Sequence, residues 1–295
     1  MRSSRALLRV HALLRVRVII EGVRPIPLVT LITDFGTSDG YAGAMKGVLL
    51  SLNRQLTVID ITHDVPLQDV AAGAFTALVA CPYYPPGTVH ILVVDPGVGS
   101  DRRILAVQAG EWWFIAPDNG LLTHLMDAYP VVTVHALAEP RFWRPVVSNT
   151  FHGRDIMAPA AAHLTLGVAP EALGPPVNVS TLVRLQVVAP QAGPDRLRGS
   201  VIHVDRFGNL ISNLPGAWLQ RPDAVSVMVW IDPPGCAVPL RRTYADVAPG
   251  QALALVDSAG LLEVAIRNGS AAAVLQTGRG ATIEVRWTHQ ERTGS

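Results

Sequence analysis

The sequence predicts two domains, an α/β domain built on a parallel-rich sheet followed by an all-β domain. Three observations carry this. Up to about residue 166, short apolar runs of strand length alternate with stretches of helical spacing, the pattern of strand–helix–strand units packed as a sheet with helices on both faces. Several of those runs stop on a carboxylate followed by Gly or Pro, as in Ile91–Val94 before Asp95-Pro96-Gly97. Beyond Gly167 helical periodicity fades, and short strands separated by Pro and Gly turns take over, as in a small antiparallel barrel or sandwich.

A chain of 295 residues is longer than the ~100–200 typical of one domain. Its 49% hydrophobic and 16% charged residues suit a large buried core and exclude a disordered chain. A net charge of +1 offers no electrostatic case for nucleic acid or an acidic membrane surface. No apolar run reaches the ~18 residues of a membrane-spanning helix. Cys81 and Cys236, far apart and without metal-ligand spacing, read as small thiols in a reducing compartment, hence a cytoplasmic protein. Residues 1–27 carry Arg2, Arg5, Arg9, Arg15 and Arg17 among Leu, Val and Ala. Arginines interrupt every apolar run, unlike a signal peptide; a basic amphipathic helix and an organelle-type presequence are the alternatives, and the segment is read as an extension outside the fold.

The elements follow in order. Leu28–Thr33 is a buried strand ending on Asp34. Tyr41–Asn53 has helical spacing, with Tyr41, Met45, Val48 and Leu52 on one face. Leu56–Ile61 is a strand, and Asp69 is the expected N-cap of an alanine-rich helix reaching Cys81. Thr88–Val94, apolar on successive residues, is the central strand. Ile104–Gln108 and Trp112–Ile115 are strands joined at Gly110. Leu121–Ala128 is a short helix and Val131–His135 a strand, and residues 150–155 open a helix through Leu166. The α/β domain is thus 28–174, and Gly/Pro clusters mark a linker over 175–194. The β domain, 195–290, is preceded by a strand at Leu185–Val188. Its own expected strands are Leu197–Val204, Leu210–Ser212, Val225–Ile231, Ala252–Val256, Ala273–Gln276 and Thr282–Trp287.

The chain has no GxGxxG after its first strand, no G-K-[ST] phosphate loop, no GxSxG elbow and no HExxH. It offers polar groups at successive strand ends instead: Asp34/Asp39, His63/Asp64, Asp95/Arg102 and Asp118/Asn119. His152/Arg154/Asp155 lie before a helix. Such ends converge on one edge of an open α/β sheet, where ligands bind. A carboxylate-rich cleft without a basic clamp suits a cationic or polyol ligand better than a polyphosphate. Metal binding is the rival reading, and the absence of C-x-x-C or H-x-x-x-H spacing counts against it. His63 and Asp64 read as loop structure, and His124, His135 and His163, in apolar contexts, as structural.

TDFGTSDGYAGAMKG, VDPGVGSDRR, PDNGLLT, NTFHGRD and VDRFGNLISN occur in this order. In them the chain resembles the S-adenosylmethionine hydrolases that form adenosine, the SAM hydroxide adenosyltransferases, which are related to fluorinase and chlorinase. The likeness runs from about Leu28 to Trp287. It implies a Rossmann-like N-terminal domain, a β-barrel C-terminal domain, and a homotrimer with its active site between the N-terminal domain of one subunit and the C-terminal domain of the next. It implies no metal and no nicotinamide or other cofactor, S-adenosylmethionine being the substrate.

Residue by residue, the resemblance gives Asp95, Arg102 and His152 the task of organising the attacking water. It makes Asp34 the ligand of the ribose diol, Asp205 that of the methionine amino group, and Asn209 that of the adenine edge. Ser258 takes the methionine carboxylate and Tyr244 stacks on adenine. The hydrolase pattern has His and Gly where fluorinase has Tyr and Ser, and His152-Gly153 follow it. The halogenases also lack the Asp–Arg pair kept here as Asp95 and Arg102. Two departures stand out: Ala259 where fluorinase has Arg, and Arg267-Asn268 where a plain Asn is usual.

The chemistry this implies is in-line attack of water on C5′. Methionine leaves as a neutral thioether, so no acid is needed at the leaving group. An Asp–His pair accepts the water proton and Arg102 orients it, with Asp95 expected mainly to position. Each residue also has a plain structural reading: Asp34 as a cap acceptor, Arg102 as a surface charge, His152 as a core histidine, Asp205 and Asn209 as turn formers. The competing functions are a halogenase of the same fold, a non-catalytic protein that binds S-adenosylmethionine or a nucleoside, and a metal-dependent hydrolase.

Overall fold

The computed structural model describes residues 27–220 and 226–288, so the reading of the N-terminal extension falls outside the described residues. These residues form two compact bodies, 27–185 and 186–288.

The first body contains β1 (Leu28–Thr33), α1 (Tyr41–Leu52), β2 (Thr57–Thr62), α2 (Val70–Ala80) and β3 (Val89–Val93). There follow β4 (Ile104–Ala109), β5 (Trp112–Pro117), α3 (Thr123–Ala128), β6 (Val131–Ala136) and α4 (Ala158–Thr165). The sheet order is β2-β1-β3-β5-β4-β6. β2, β1, β3 and β5 are parallel neighbours, and β4 runs antiparallel to both β5 and β6. The sheet is therefore mixed. The antiparallel step comes from the tight Gly110 turn (φ +57°) between β4 and β5, too short for the crossover that parallel neighbours need.

Side chains alternate along the buried strands and divide the core in two. Val29, Leu31, Ile91, Val93 and Ala106 face Met45, Leu49 and the alanines of α4. Ile32, Leu92, Leu105 and Val107 face Ala72, Ala74 and Ala77 of α2 and Leu125 of α3. Helices thus cover both faces. Asp69 caps α2 as expected, its carboxylate accepting from the Ala72 amide at 3.0 Å. The apolar face of α1 is rotated from the expected one. Ala42, Met45 and Leu49 are buried, while Tyr41 and Leu52 are exposed. Tyr41 packs its ring edge-on to Phe151, 5.3 Å between centroids, which draws it off the core stripe. A π-turn over Gly153–Met157, with the Ala158 amide bonded to the Gly153 carbonyl, precedes α4 where a continuous helix was expected.

In the second body, β7 (Gln191–Ala192), β8 (Arg196–Val204), β9 (Leu210–Pro215), β10 (Ser226–Asp232) and β11 (Cys236–Pro239) lead to β12 (Ala252–Val256). β13 (Leu261–Ile266), α5 (Ala271–Leu275) and β14 (Thr282–Thr288) complete it. The sheet, ordered β11-β10-β14-β8-β9-β13-β12 with β7 beside β8, is antiparallel throughout. A bridge between Leu240 and Ala254 brings its two ends together, making a nearly closed barrel filled by Leu197, Val201, Leu210, Val229, Ile231, Val264 and Ile283.

Two expected strands are absent. Leu185–Val188 carries no ladder: the Leu185 amide donates to Thr123 Oγ1, and the Val188 carbonyl accepts from Asn213. Ala273–Gln276 lies mostly in α5, a helix capped by the Ser270 side chain and ended by Gln276 at φ +50°. A serine followed by three alanines outweighs the apolar run there. β7, β11 and β13 were not anticipated. Of the expected strand at Val225–Ile231, Val225 lies outside the described residues. No helix among the described residues is long and apolar enough to cross a membrane.

Candidate active site

The candidate site in the first body is at the C-terminal edge of the parallel strands. Thr33 of β1 pairs with Val93 of β3, so Asp34 and Asp95 leave neighbouring strand ends. The loop after Asp95 is held by Asn119, whose amide donates to the Val94 carbonyl at 2.9 Å. At its apex Gly99 has φ +83°, and a Cβ there would lie 2.6 Å from the Asn149 carbonyl oxygen. Only glycine allows this approach, which brings the loop against the segment leading to His152.

Arg102 closes the loop onto its own start. Its Nε donates to Asp95 Oδ1 at 2.7 Å and Oδ2 at 2.8 Å, and its Nη2 also donates to Oδ2. The two side chains are 5% and 8% exposed, so this is a desolvated pair rather than a surface contact, and its forked geometry is specific to arginine. Arg102 Nη2 also lies 3.1 Å from His152 Nδ1. A guanidinium has no acceptor, so Nδ1 must accept, and neutral His152 carries its proton on Nε2. Burial and the neighbouring Arg102 charge push the His152 pKa below its usual value, with Asp95 and Asp155 acting in the opposite sense. The imidazole is neutral at neutral pH and presents an N–H.

Asp155, three residues beyond His152, is fully buried and ties the segment that carries the histidine. That carboxylate accepts from Arg154 Nε at 2.7 Å, Arg144 Nη1 at 3.2 Å and the Ser148 amide at 2.9 Å. Phe151 stands edge-on to Phe35 at 5.7 Å, tying His152 to the Asp34 loop. Asp34 Oδ2 accepts from the Gln68 amide at 2.8 Å. Asp34, Asp95, Arg102 and His152 therefore sit on loops fastened to one another.

Two other polar clusters serve structure. Asp118 takes Arg103 and the Val183 amide, while Arg103 reaches the Thr181 carbonyl at 2.7 Å, so the pair clasps residues 181–183. His63 is buried, with Nδ1 2.8 Å from Thr33 Oγ1 and Nε2 3.0 Å from Asp60.

The second body holds the remaining residues. Asp205 Oδ1 accepts from the amides of Phe207 and Asn209, and Oδ2 from the Asn209 side chain at 3.0 Å. Both residues thus build the turn before β9, the structural role open to them from sequence. Ser258 is exposed in the β12–β13 turn. Tyr244 is 42% exposed, yet its hydroxyl donates to Glu263 Oε1 at 2.7 Å. Glu263, 3% exposed in the middle of β13, is a group the sequence reading missed. A lone glutamate within Leu-Leu-Glu-Val-Ala-Ile was the available signal. Burial, with Asp257 and Asp205 nearby, pushes its pKa up to about 7 despite the tyrosine hydrogen bond. Burial also raises Asp257. Among the described residues no group of three or more His, Cys, Asp and Glu is arranged to hold a metal ion.

A buried Asp–Arg pair carrying a neutral histidine, at the edge of an α/β sheet and joined in sequence to a small barrel, defines the class. Residues 29–174 match the SAM hydroxide adenosyltransferase N-terminal domain and residues 199–284 its C-terminal domain. The chain belongs to the SAM hydroxide adenosyltransferase family. It is 41% identical over 265 residues to the (R)-S-adenosyl-L-methionine hydrolase of Thermus thermophilus, covering 87% of this chain and 98% of the relative. A Thermotoga maritima protein described as an uncharacterized conserved protein superposes with a TM-score of 0.80 at 33% identity, covering 88% of this chain and 99% of the other. A fluorinase from Nocardia brasiliensis is more distant, 26% identical over 292 residues, covering 88% of this chain and 97% of that one.

Proposed function

We infer that this protein hydrolyses S-adenosyl-L-methionine to adenosine and L-methionine by in-line attack of water on C5′. The observation that carries the reading is the Asp95–Arg102–His152 cluster in a chain of this family. Greater identity to a hydrolase than to a fluorinase, with His152-Gly153 in the hydrolase pattern, favours water over halide as nucleophile.

The roles follow from lone pairs. Water needs an acceptor for its proton and a donor to fix its oxygen. Arg102 cannot accept, and its guanidinium occupies His152 Nδ1. The acceptor capacity left in the cluster is on the Asp95 carboxylate. We therefore assign the water proton to Asp95 and give His152 Nε2–H the task of orienting the water oxygen. This departs from an Asp–His pair acting together and from an Asp95 that only positions. A carboxylate suffices because the attacking water becomes strongly acidic as its C–O bond forms. The sulfonium charge is lost in the same step, leaving a neutral thioether, which a desolvated site favours.

Asp34 is assigned to the ribose diol, Asp205 to the methionine amino group, Asn209 to the adenine edge, Ser258 to the carboxylate and Tyr244 to stacking on adenine. The first body is read as Rossmann-like, supported by its parallel β2-β1-β3-β5 core. Because the assigned groups are shared between two bodies, the proposal includes a homotrimer with each site completed by a neighbouring subunit. No cofactor, metal, nucleic acid or membrane partner is invoked. A reducing, cytoplasmic location accords with the free thiols Cys81 and Cys236.

The test is to incubate pure protein with S-adenosylmethionine, with and without chelator, and resolve the products by chromatography. Adenosine and methionine in equal amounts, unaffected by chelator, are expected. Tight binding without adenosine would make the protein a sensor, and loss of activity with chelator would make it a metal-dependent hydrolase.

A further inference from the structure

Tyr244 has an unusual combination of surroundings. Its ring is exposed while its hydroxyl reaches a buried carboxylate on the neighbouring strand. The short helical turn that carries it, Tyr244–Asp246, is closed at both ends. Thr243 and Asp246 form a reciprocal capping box, and Arg267 Nη1 donates to the carbonyls of Ala245 at 3.2 Å and Val247 at 2.6 Å. Arg267, one of the departures from the family pattern, thus braces this turn. A phenol pinned at its oxygen and at both ends of its backbone turn has a fixed ring plane. An exposed, fixed aromatic face is what a flat heteroaromatic group stacks on.

We propose that Glu263 is a positioning residue for the nucleobase end of the ligand, acting through the Tyr244 hydroxyl to hold the ring as a preorganised stacking platform. The proposal rests on the reading of Tyr244 as the adenine contact and adds the residue that makes the contact rigid. Without the buried acceptor the ring is free to rotate off the surface, and binding must supply the order that Glu263 supplies in advance. The bond is stronger when Glu263 is ionised. The titratable groups facing Glu263 are Tyr244 on the helical turn, Asp257 at the end of β12 and Asp205 before β9. Burial first, and the two aspartates after it, oppose its ionisation, so the clamp tightens as pH rises through about 7.

The experiment compares wild type, Tyr244→Phe, Glu263→Gln and Glu263→Ala for kcat and KM with S-adenosylmethionine between pH 6 and 8.5, alongside thermal melting. Tyr244→Phe keeps the ring and removes only the hydroxyl, and its KM is expected to rise about five- to tenfold with a far smaller change in kcat. Glu263→Ala should match it, the double variant should be no worse than either single one, and Glu263→Gln, which keeps an acceptor, should fall between. The decrease of KM with rising pH should be weakened in all of them relative to wild type. A merely structural role would lower the melting temperature without changing the pH dependence of KM. Should the glutamate variants not fold, Tyr244→Phe alone decides. Wild-type KM and pH dependence in Tyr244→Phe would overturn the proposal while leaving the substrate intact. A wild type that neither binds nor cleaves S-adenosylmethionine would overturn the substrate reading and this inference with it.

Discussion

Replacing Glu263 with Gln should change how the stability of the protein depends on pH. Glu263 is almost fully buried, and its pKa rises from 4.5 to about 7 on folding. An acid whose folded pKa is raised favours the folded state while it is protonated. Its contribution is full below about pH 4.5 and is lost as pH rises through 7. At 1.36 kcal/mol per pKa unit, the loss approaches about 3 kcal/mol by pH 8. Glutamine keeps the shape and an acceptor for Tyr244 but does not titrate. The assay is urea denaturation of both full-length proteins at half-unit steps from pH 4.5 to 8, monitored by tryptophan fluorescence. Wild type should lose stability relative to Glu263→Gln over that window, with most of the loss between pH 5 and 7. Asp257, raised in the same direction, leaves a slope of its own in the variant. A stability difference that stays constant across the window would refute the reasoning, because Glu263 would then have the same pKa folded and unfolded.

His152→Ala should lower kcat by about 10²–10³ with little change in calorimetric binding of S-adenosylmethionine, while His152→Gln, which donates but is no base, should retain more turnover. Equal loss in both would return the base role to histidine. Asp34→Ala should act mainly on KM, since a diol contact is present in ground and transition states alike; a pure kcat effect in steady-state kinetics would remove it from ribose binding. Gly99→Ala forces a Cβ against the Asn149 carbonyl at φ +83° and should cost about 1–3 kcal/mol, read as a lowered urea midpoint with reduced kcat. If the proposed homotrimer shares its sites between subunits, mixing Asp95→Ala and Asn209→Ala chains, each inactive alone, should restore partial activity in co-assembled oligomers. No recovery in confirmed mixed assemblies would place the site within one subunit.

The first body was legible because its central strands are buried on both faces and end abruptly. Ile91–Val94 followed by Asp95-Pro96-Gly97 marks both the central strand and the position of the site residue. The meeting of Asp95 and Arg102 was visible as a seven-residue spacing, and that of His152 through the family likeness. What sequence could not give was the direction of each hydrogen bond. The acceptor role of His152 Nδ1 depends on Arg102 Nη2 lying 3.1 Å away, and on it rests the proposal that Asp95 takes the water proton. The second body was read less well, because its strands are short and apolar positions alone do not separate strand from helix. α5 was mistaken for a strand on this account, and β13 was missed. Glu263 escaped with it, because the Tyr244 turn that covers it, on the strand face opposite the barrel core, was not read from sequence.

The π-turn at Gly153–Met157 places one more residue between His152 and α4 than a regular helix would hold. Each residue turns an α-helix by about 100°. Deleting a single residue there would let α4 run on unbroken, with its buried alanines still in register against the sheet. The segment ahead of it would swing by roughly that angle, carrying the imidazole away from Arg102. The packing phase of the helix and the aim of the histidine are therefore set independently. A one-residue change in length can disarm this site while the core beneath it stays as it is.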